Sequence, residues 1–207
     1  MKLMMNMLVI LYLLNVGSGI GMWSGQSLVG QKESLKTGEA KRILVQGVFT
    51  QELGVREKSG RNDGERVEGY LKQVGLKRGE PWCAAFICWV FNRAGVPNPN
   101  TAWAPRLFPR EKVIWERSRI VYRKGIYAKE SCSLLPRPGD VFALWFPEKK
   151  RIAHAGFVDS WSDSWLITVE GNTNIAGGRE GDGVYRKRRL IQSIYRVANW
   201  IGDEGNE

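Results

Sequence analysis

The chain has 207 residues, of which 43% are hydrophobic and 25% charged, and these values exclude a disordered or collagen-like protein. Lys and Arg number 31 against 21 Asp and Glu, so the formal net charge of +10 favours a polyanionic partner: nucleic acid, an acidic membrane surface or an acidic cell-wall polymer. Three cysteines with no C-x-x-C pair argue against a disulfide scaffold and against a structural zinc site. His154 is the single histidine, so an imidazole base near neutral pH has to be this residue.

The first residues have the layout of a secretory signal peptide. Lys2 gives a positive start, residues 3–14 form an apolar stretch, and small residues occupy 17–19. The stretch is shorter than the roughly 20 apolar residues that a transmembrane helix needs. We therefore predict a signal peptide at residues 1–19, a single domain at residues 20–207, and a secreted or periplasmic protein without stable membrane insertion. The alternative is a buried N-terminal helix.

Apolar residues at helical spacing predict two helices before residue 80. One lies within residues 39–53, and the second covers 67–74, where apolar side chains fall at i, i+3, i+4 and i+7. Asn62 and Asp63 precede the second helix as candidates for its N-cap, and Gly75 is placed to end it.

A third helix is predicted over residues 82–94. Pro81 suits a first helical turn, Gly95 suits a C-terminal cap, and Pro97 prevents continuation. The run is apolar on nearly every side, which is typical of a buried helix. Cys83 falls in its first turn, where the free backbone N–H groups and the helix dipole stabilise a thiolate.

The second half of the chain carries strand patterns. Residues 97–137 indicate irregular structure with a short helix at 110–115. Helices first and antiparallel strands second predict an α+β fold, in which N-terminal helices pack on a C-terminal antiparallel sheet of about five strands. The predicted strands are residues 141–146, 152–160, 166–172, 185–191 and 194–201.

Four side chains in this arrangement have the chemistry of thiol acyl transfer. His154 lies on a predicted strand between two alanines, and Glu170 and Asn172 are two positions apart on the next strand, so both are expected on one face. Either residue has an oxygen that accepts a hydrogen bond from the imidazole. Nucleophile, base and orienting group are thus present as Cys83, His154, and Glu170 or Asn172. The alternative is an inert core cysteine with a structural histidine.

Four short segments together resemble the CHAP family, which comprises cysteine- and histidine-dependent amidohydrolases and peptidases acting on bacterial cell walls. The resemblance covers residues 44–200. Each segment alone is a weak signal, but the combination is specific. The segments are GEPWCAAF from residue 79, PGDV from 138, HAGFV from 154 and EGNTN from 170.

The resemblance implies a papain-like α+β fold, with residues 20–207 as one catalytic domain. It implies Cys83 as nucleophile, His154 as base and Glu170 as the group that orients the imidazole, with Asn172 assisting; which of the last two fills the third position stays open. No metal and no organic cofactor are implied. The expected partner is peptidoglycan, cleaved at an amide bond through a thioester by a monomeric enzyme.

Three further features have two interpretations each. Trp82 and Trp103 are candidates for contact with substrate, although most tryptophans in such a chain are core residues. The basic run at 186–189 is typical of a solvated strand face, and the alternative is a grip on an anionic polymer. Cys88 and Cys132 are either a disulfide in an oxidising compartment or, as we prefer, two free thiols.

Rival functions share some of these features. An envelope-targeting toxin would use the same chemistry but would normally lack a signal peptide. A non-catalytic wall-binding module has no need of an activated thiol. Nucleic-acid binding would require a recognisable motif or exposed aromatic and basic residues in alternation, and neither is evident. The sequence therefore predicts an exported peptidoglycan hydrolase.

Overall fold

The structure is a computed structural model. The predicted signal peptide at residues 1–19 and Cys132 lie outside the residues that it describes. The described residues are 26–117, 120–123, 126–129, 135–176 and 181–202.

The described chain has helices first and strands second, as predicted. The helices are α1 (Gln26–Gln51), α2 (Glu65–Gln73) and α3 (Cys83–Arg93). The strands are β1 (Val113–Glu116), β2 (Ile120–Arg123), β3 (Ile126–Lys129), β4 (Val141–Phe146), β5 (Arg151–Trp161), β6 (Trp165–Thr173), β7 (Gly183–Leu190) and β8 (Arg196–Ala198). No helix in this described part is long and apolar enough to span a membrane.

Six strands form one antiparallel sheet in the order β1-β8-β4-β5-β6-β7, and β2 pairs with β3 in a separate hairpin. The α+β prediction is confirmed, and the sheet has one strand more than the five that the pattern indicated. The extra strand is β1, within the segment predicted as a helix at 110–115. Only Arg110–Lys112 is helical there, as a 3-10 turn. The following Val113, Ile114 and Trp115 have the branched and aromatic side chains that favour an extended chain, and they pair with β8.

The predicted N-cap of α2 is wrong. Gly64 occupies the cap position, and no side chain caps the helix. The carboxylate of Asp63 instead accepts hydrogen bonds from the backbone N–H and the hydroxyl of Ser59, at 2.9 and 2.7 Å. Gly75 does end the helix, with its φ of 76° in the left-handed region.

Helix α3 lies at the centre of the molecule. Every side chain from Cys83 to Phe91 is buried, between α1 and α2 on one side and strands β5 and β6 on the other. Phe157 of β5 packs against α3 through Phe86 and Phe91, with ring centroids 6.1 and 5.3 Å away. The end of α3 is closed by Val96, whose N–H donates to the Phe91 carbonyl at 2.8 Å. The nucleophile candidate therefore stands at the first residue of a helix that tertiary packing holds rigidly.

The sheet has two faces with different neighbours. Alternation along β5 sends Ala155 and Phe157 into the core beneath α3 and sends Val158 into a smaller apolar cluster on the opposite face. His154 belongs to that opposite face, where its ring lies 6.5 Å from that of Phe142. The helix layer and the imidazole thus approach the same end of β5 from different sides.

A buried ion pair attaches helix α1 to the turn that opens β4. The Arg42 guanidinium donates to Asp140 Oδ1 at 2.9 Å and to the Pro138 carbonyl at 2.8 Å. Asp140 Oδ2 accepts the Arg137 backbone N–H at 2.7 Å. Arg42 and Asp140 are 2% and 0% exposed, so neither charge has water as an alternative partner. The turn is therefore held in place by α1.

Breaking this pair is expected to destabilise the fold strongly. Asp140→Asn leaves the buried Arg42 cation without its counterion, and we expect a loss of about 3–5 kcal/mol in the free energy of unfolding. The matched control is Asp159→Asn, which breaks the more exposed pair with Arg186 and is expected to cost less than about 1 kcal/mol. Urea denaturation followed by circular dichroism measures both. Equal losses in the two variants would contradict the role given to Arg42.

Candidate active site

Trp82 fixes the start of helix α3 and is not a substrate contact. Its side chain is 0% exposed, and its indole N–H donates to Glu57 Oε1 at 2.9 Å. Gly171 of β6 faces it closely: a Cβ there would lie 2.7 Å from Trp82 Cζ3 and 2.8 Å from Phe86 Cγ. The expectation that Trp82 touches substrate is therefore corrected, because a fully buried ring has no surface to offer. Its packing places Cys83 against the sheet.

The Cys83 sulfur is near the His154 ring and the backbone N–H groups of Ala84 and Ala155, and all three favour its ionised form. Burial alone would raise the pKa of the Cys83 thiol, but the hydrogen bond and positive charge of His154, with those two N–H groups, hold it below its ordinary value. The side chain is 6% exposed and reaches the wall of a pocket. The thiolate form is therefore favoured at a point that small molecules can reach.

The His154 imidazole is held between the sulfur and a carboxylate. Its Nε2 lies 2.8 Å from Glu170 Oε2, so the ring nitrogen not engaged by this carboxylate is Nδ1. Burial acts to lower the pKa of His154, but the hydrogen bonds and charges of Cys83 and Glu170 outweigh it and raise the pKa to about 9. A lowered thiol pKa beside a raised imidazole pKa favours the form of the pair in which Cys83 is a thiolate and His154 an imidazolium.

Glu170 is a buried carboxylate with several hydrogen-bond donors. Besides His154, it accepts two N–H groups of Arg189, each at 2.6 Å, and the Thr168 hydroxyl at 2.5 Å. Burial favours the protonated acid, but the donors from Arg189 and His154 hold the pKa of Glu170 well below its usual range. Gly156 makes room for it, because a Cβ there would lie 2.8 Å from Glu170 Cγ.

Asn172 lies in the same pocket wall as Cys83 and His154, but Glu170 is the residue that bonds the imidazole. The pairing of β6 with β7 shifts register between Glu170 and Thr173, and Asn172 has a φ of 54°. The regular alternation that was expected to place both side chains on one face ends at this irregularity. Of the two candidates for the third position, the geometry brings Glu170 to the ring and Asn172 to the pocket.

The basic run on β7 is divided between the two faces of the strand. Arg186 and Arg188 point outward and are exposed, as the solvated-face interpretation predicts. Lys187 and Arg189 point inward and line the pocket, and Arg189 holds Glu170. Sequence reasoning missed these two roles, because the period-two alternation of a strand separates the run into two pairs but does not say which pair faces the pocket.

Two pockets meet at Cys83. The polar one, of about 530 Å³, lies between the start of α3, strands β5 and β7 and the turn at Pro147–Lys149. The other, of about 390 Å³, includes Trp103 and Arg151 in its wall. Trp103 is 49% exposed, and the Arg151 guanidinium lies 4.2 Å from its ring centroid. Trp103 and Cys83 therefore line the same pocket, and a contact between Trp103 and substrate stays a prediction.

Cys88 is a buried free thiol within the helix. Its sulfur donates to the Thr101 carbonyl at 3.4 Å and accepts the Thr101 N–H at 3.3 Å. Burial raises the pKa of Cys88 to about 11. It is therefore an unreactive core residue, unlike Cys83.

In the described ranges, no group of three or more His, Cys, Asp or Glu residues gathers as ligands for a metal ion. Comparisons with known proteins add no relatives: no family model, no curated protein and no solved structure matches the chain. Function is therefore inferred from the chemistry of the site and from the motifs that form it.

The interaction between Cys83 and His154 predicts an unusual pH dependence for the alkylation of Cys83 by iodoacetamide. An ordinary thiol, with a pKa of about 8.5, is mostly protonated at pH 6.5, whereas Cys83 is expected to react there because His154 stabilises its thiolate. His154→Ala should reduce the rate at pH 6.5 by about tenfold or more, one pKa unit being a factor of ten. Peptide mapping by mass spectrometry measures each cysteine separately, with unreactive Cys88 as the internal control. A Cys83 rate that rises only above pH 8 in the wild type would contradict the assignment.

Arg189 is a positioning residue that acts through Glu170. Arg189→Met removes two hydrogen bonds and a positive charge from a buried carboxylate, so the pKa of Glu170 should rise, its charge should weaken, and the alkylation profile of Cys83 should move to higher pH. Arg189→Lys keeps the charge but loses the bidentate contact, so its alkylation profile should lie between those of the wild type and Arg189→Met. Arg188→Met removes the same charge from the outer face of β7 and should leave the profile unchanged. An unmoved profile in Arg189→Met would exclude this role.

Proposed function

We propose that the protein is a cysteine-dependent amidohydrolase or peptidase. The observation that carries this proposal is the series Cys83, His154 and Glu170, in which the imidazole is hydrogen-bonded to the carboxylate and lowers the pKa of the thiol, and Cys83 borders a pocket. A nucleophile, a base within hydrogen-bond reach and a third group that orients the base are the components of acyl transfer. A binding module has no use for a thiolate held by an imidazolium.

The reaction follows from these positions. The Cys83 thiolate attacks an amide carbonyl, and the His154 imidazolium gives its proton to the departing amine as the tetrahedral intermediate collapses to a thioester. A water molecule then gives a proton to the neutral imidazole and attacks the thioester, which releases the acid and restores the thiolate. Glu170 keeps the ring in the orientation that both transfers need and stabilises its positive charge.

The oxyanion of the intermediate forms near the N-terminus of α3. The backbone N–H of Cys83, as the first helical residue, has no acceptor within the helix and is the natural donor to that oxygen. Asn172, in the same pocket wall, offers a side-chain amide as a second donor.

Peptidoglycan is the substrate that we propose, and the support is the CHAP resemblance together with charge. Three of the segments that carry the resemblance meet at the site: one begins α3 with Cys83, and two provide His154 and Glu170. The PGDV segment instead forms the turn that opens β4. In the papain-like arrangement that the family implies, a helix beginning with the nucleophile packs on an antiparallel sheet that carries the base. The net charge of +10 favours an anionic wall polymer, and the predicted signal peptide would deliver the enzyme to it.

Digestion of purified peptidoglycan sacculi tests this function. The wild-type protein should release soluble fragments whose masses identify the amide bond that is cut. Cys83→Ala should reduce the release by about a thousandfold or more, because the nucleophile is lost. Cys88→Ala is the matched control, a second cysteine of α3 remote from the imidazole, and should retain activity. Sacculi that remain intact with the wild type, or fragments that persist with Cys83→Ala, would refute the proposal.

A further inference from the structure

The pocket beside Cys83 contains a lysine, Lys187, that forms no direct ion pair with any carboxylate of the described residues. The Lys187 Nζ donates to the Asn174 carbonyl at 2.5 Å and to the Thr173 hydroxyl at 3.4 Å, and both acceptors are neutral. Among the described residues, no Asp or Glu oxygen lies within ion-pair distance of Lys187. An ammonium group has three donors, so one remains for a ligand in the pocket.

The other charges of the pocket are balanced. Arg189 offsets the Glu170 carboxylate, and Cys83 with His154 is neutral in sum whether the proton lies on the sulfur or on the imidazole, so this buried series carries no net charge. Glu148 and Lys149, the remaining charged residues of the pocket wall, are exposed neighbours of opposite sign on the Pro147–Lys149 turn. The excess positive charge in the pocket therefore belongs to Lys187.

The partial burial of Lys187 also favours the binding of an anion in the pocket. The side chain is partly buried, and this burial lowers its pKa from the ordinary value, which reflects hydration lost without full compensation. An anion in the pocket would restore the missing interaction. A single lysine with one free donor suits a singly charged carboxylate, whereas doubly charged phosphate groups are typically held by several donors or by the fork of an arginine.

We propose that this pocket binds a free carboxylate of the peptide substrate, adjacent to the scissile amide, through Lys187. The inference rests on the proposed function, because it assigns the substrate class of the same site: acidic peptides rather than their amidated counterparts. Hydrogen bonds to charged groups are worth enough to give about a ten- to hundredfold preference for the acid.

A pair of peptides tests the preference by turnover. The two are built around the bond that the sacculi fragments identify and differ in one residue next to it, glutamate in one and glutamine in the other. The wild type should show a ratio of kcat/KM, acid over amide, of about 10 to 100, and Lys187→Met should bring this ratio close to one. Arg188→Met removes the neighbouring charge on the opposite face of β7 and should keep the wild-type ratio.

Binding to Cys83→Ala tests the same preference without turnover. Titration of this variant with an N-acetylated glutamate tripeptide and with its glutamine analogue, followed by calorimetry, should give the tighter dissociation constant for the acid. The double variant Cys83→Ala/Lys187→Met should lose that difference, while its circular dichroism spectrum checks that the fold is retained; Lys187→Gln replaces it if the methionine variant does not fold. Equal binding of the two peptides to Cys83→Ala, or a difference that survives the loss of Lys187, would overturn the carboxylate site while leaving the proposed hydrolysis intact. Failure of the wild type to cleave any wall peptide would instead refute the hydrolase.

Discussion

The site depends on one buried carboxylate. Glu170 has no exposed surface, so its charge persists only because Arg189, Thr168 and His154 direct donors at its two oxygens. The Glu170 carboxylate favours the cationic form of the His154 imidazole, whereas burial alone would favour the neutral form. The imidazolium then lowers the pKa of the Cys83 thiol. Three strands, β5, β6 and β7, and helix α3 have to be correctly placed for this series of interactions to form.

That placement is possible because the backbones of β5 and β6 approach neighbouring side chains closely at two glycines. Gly156 leaves the space that the Glu170 side chain occupies, and Gly171 lets β6 come against Trp82 and Phe86 at the start of α3. A methyl group at either position would meet heavy atoms at less than 3 Å, which a packed interior accommodates only by moving its neighbours. The glycines that flank the histidine and the glutamate in the HAG and EGN segments are therefore part of the geometry of the site.

Local patterns in the sequence predicted the helices and strands that short-range interactions determine. The helix around Cys83, the strands of His154 and Glu170 and the α+β order follow from periodicity and from residues such as Gly95, and the structure confirms them. The roles of Arg189 and of the Arg42–Asp140 pair were out of reach. Arg42 and Asp140 are 98 positions apart and meet only after the layers have packed. Arg189 belongs to a basic run that has the same sequence pattern whether its side chains face solvent or the pocket. Strand β1 was missed because its stabilisation comes from pairing with β8, late in the chain.

The reactive pair also crosses the boundary between the two layers of the fold. The sulfur belongs to α3, whereas its proton partner and the carboxylate belong to strands of the sheet, so no single layer contains a working nucleophile. The charge state of Cys83 is therefore a reporter of contact between helix and sheet. A chain in which the layers have only loosely assembled would have ordinary, protonated thiols, and a nascent chain would acquire its reactive thiolate only when β6 and β7 had docked. The charge state of a residue on α3 consequently depends on strands from the C-terminal part of the chain.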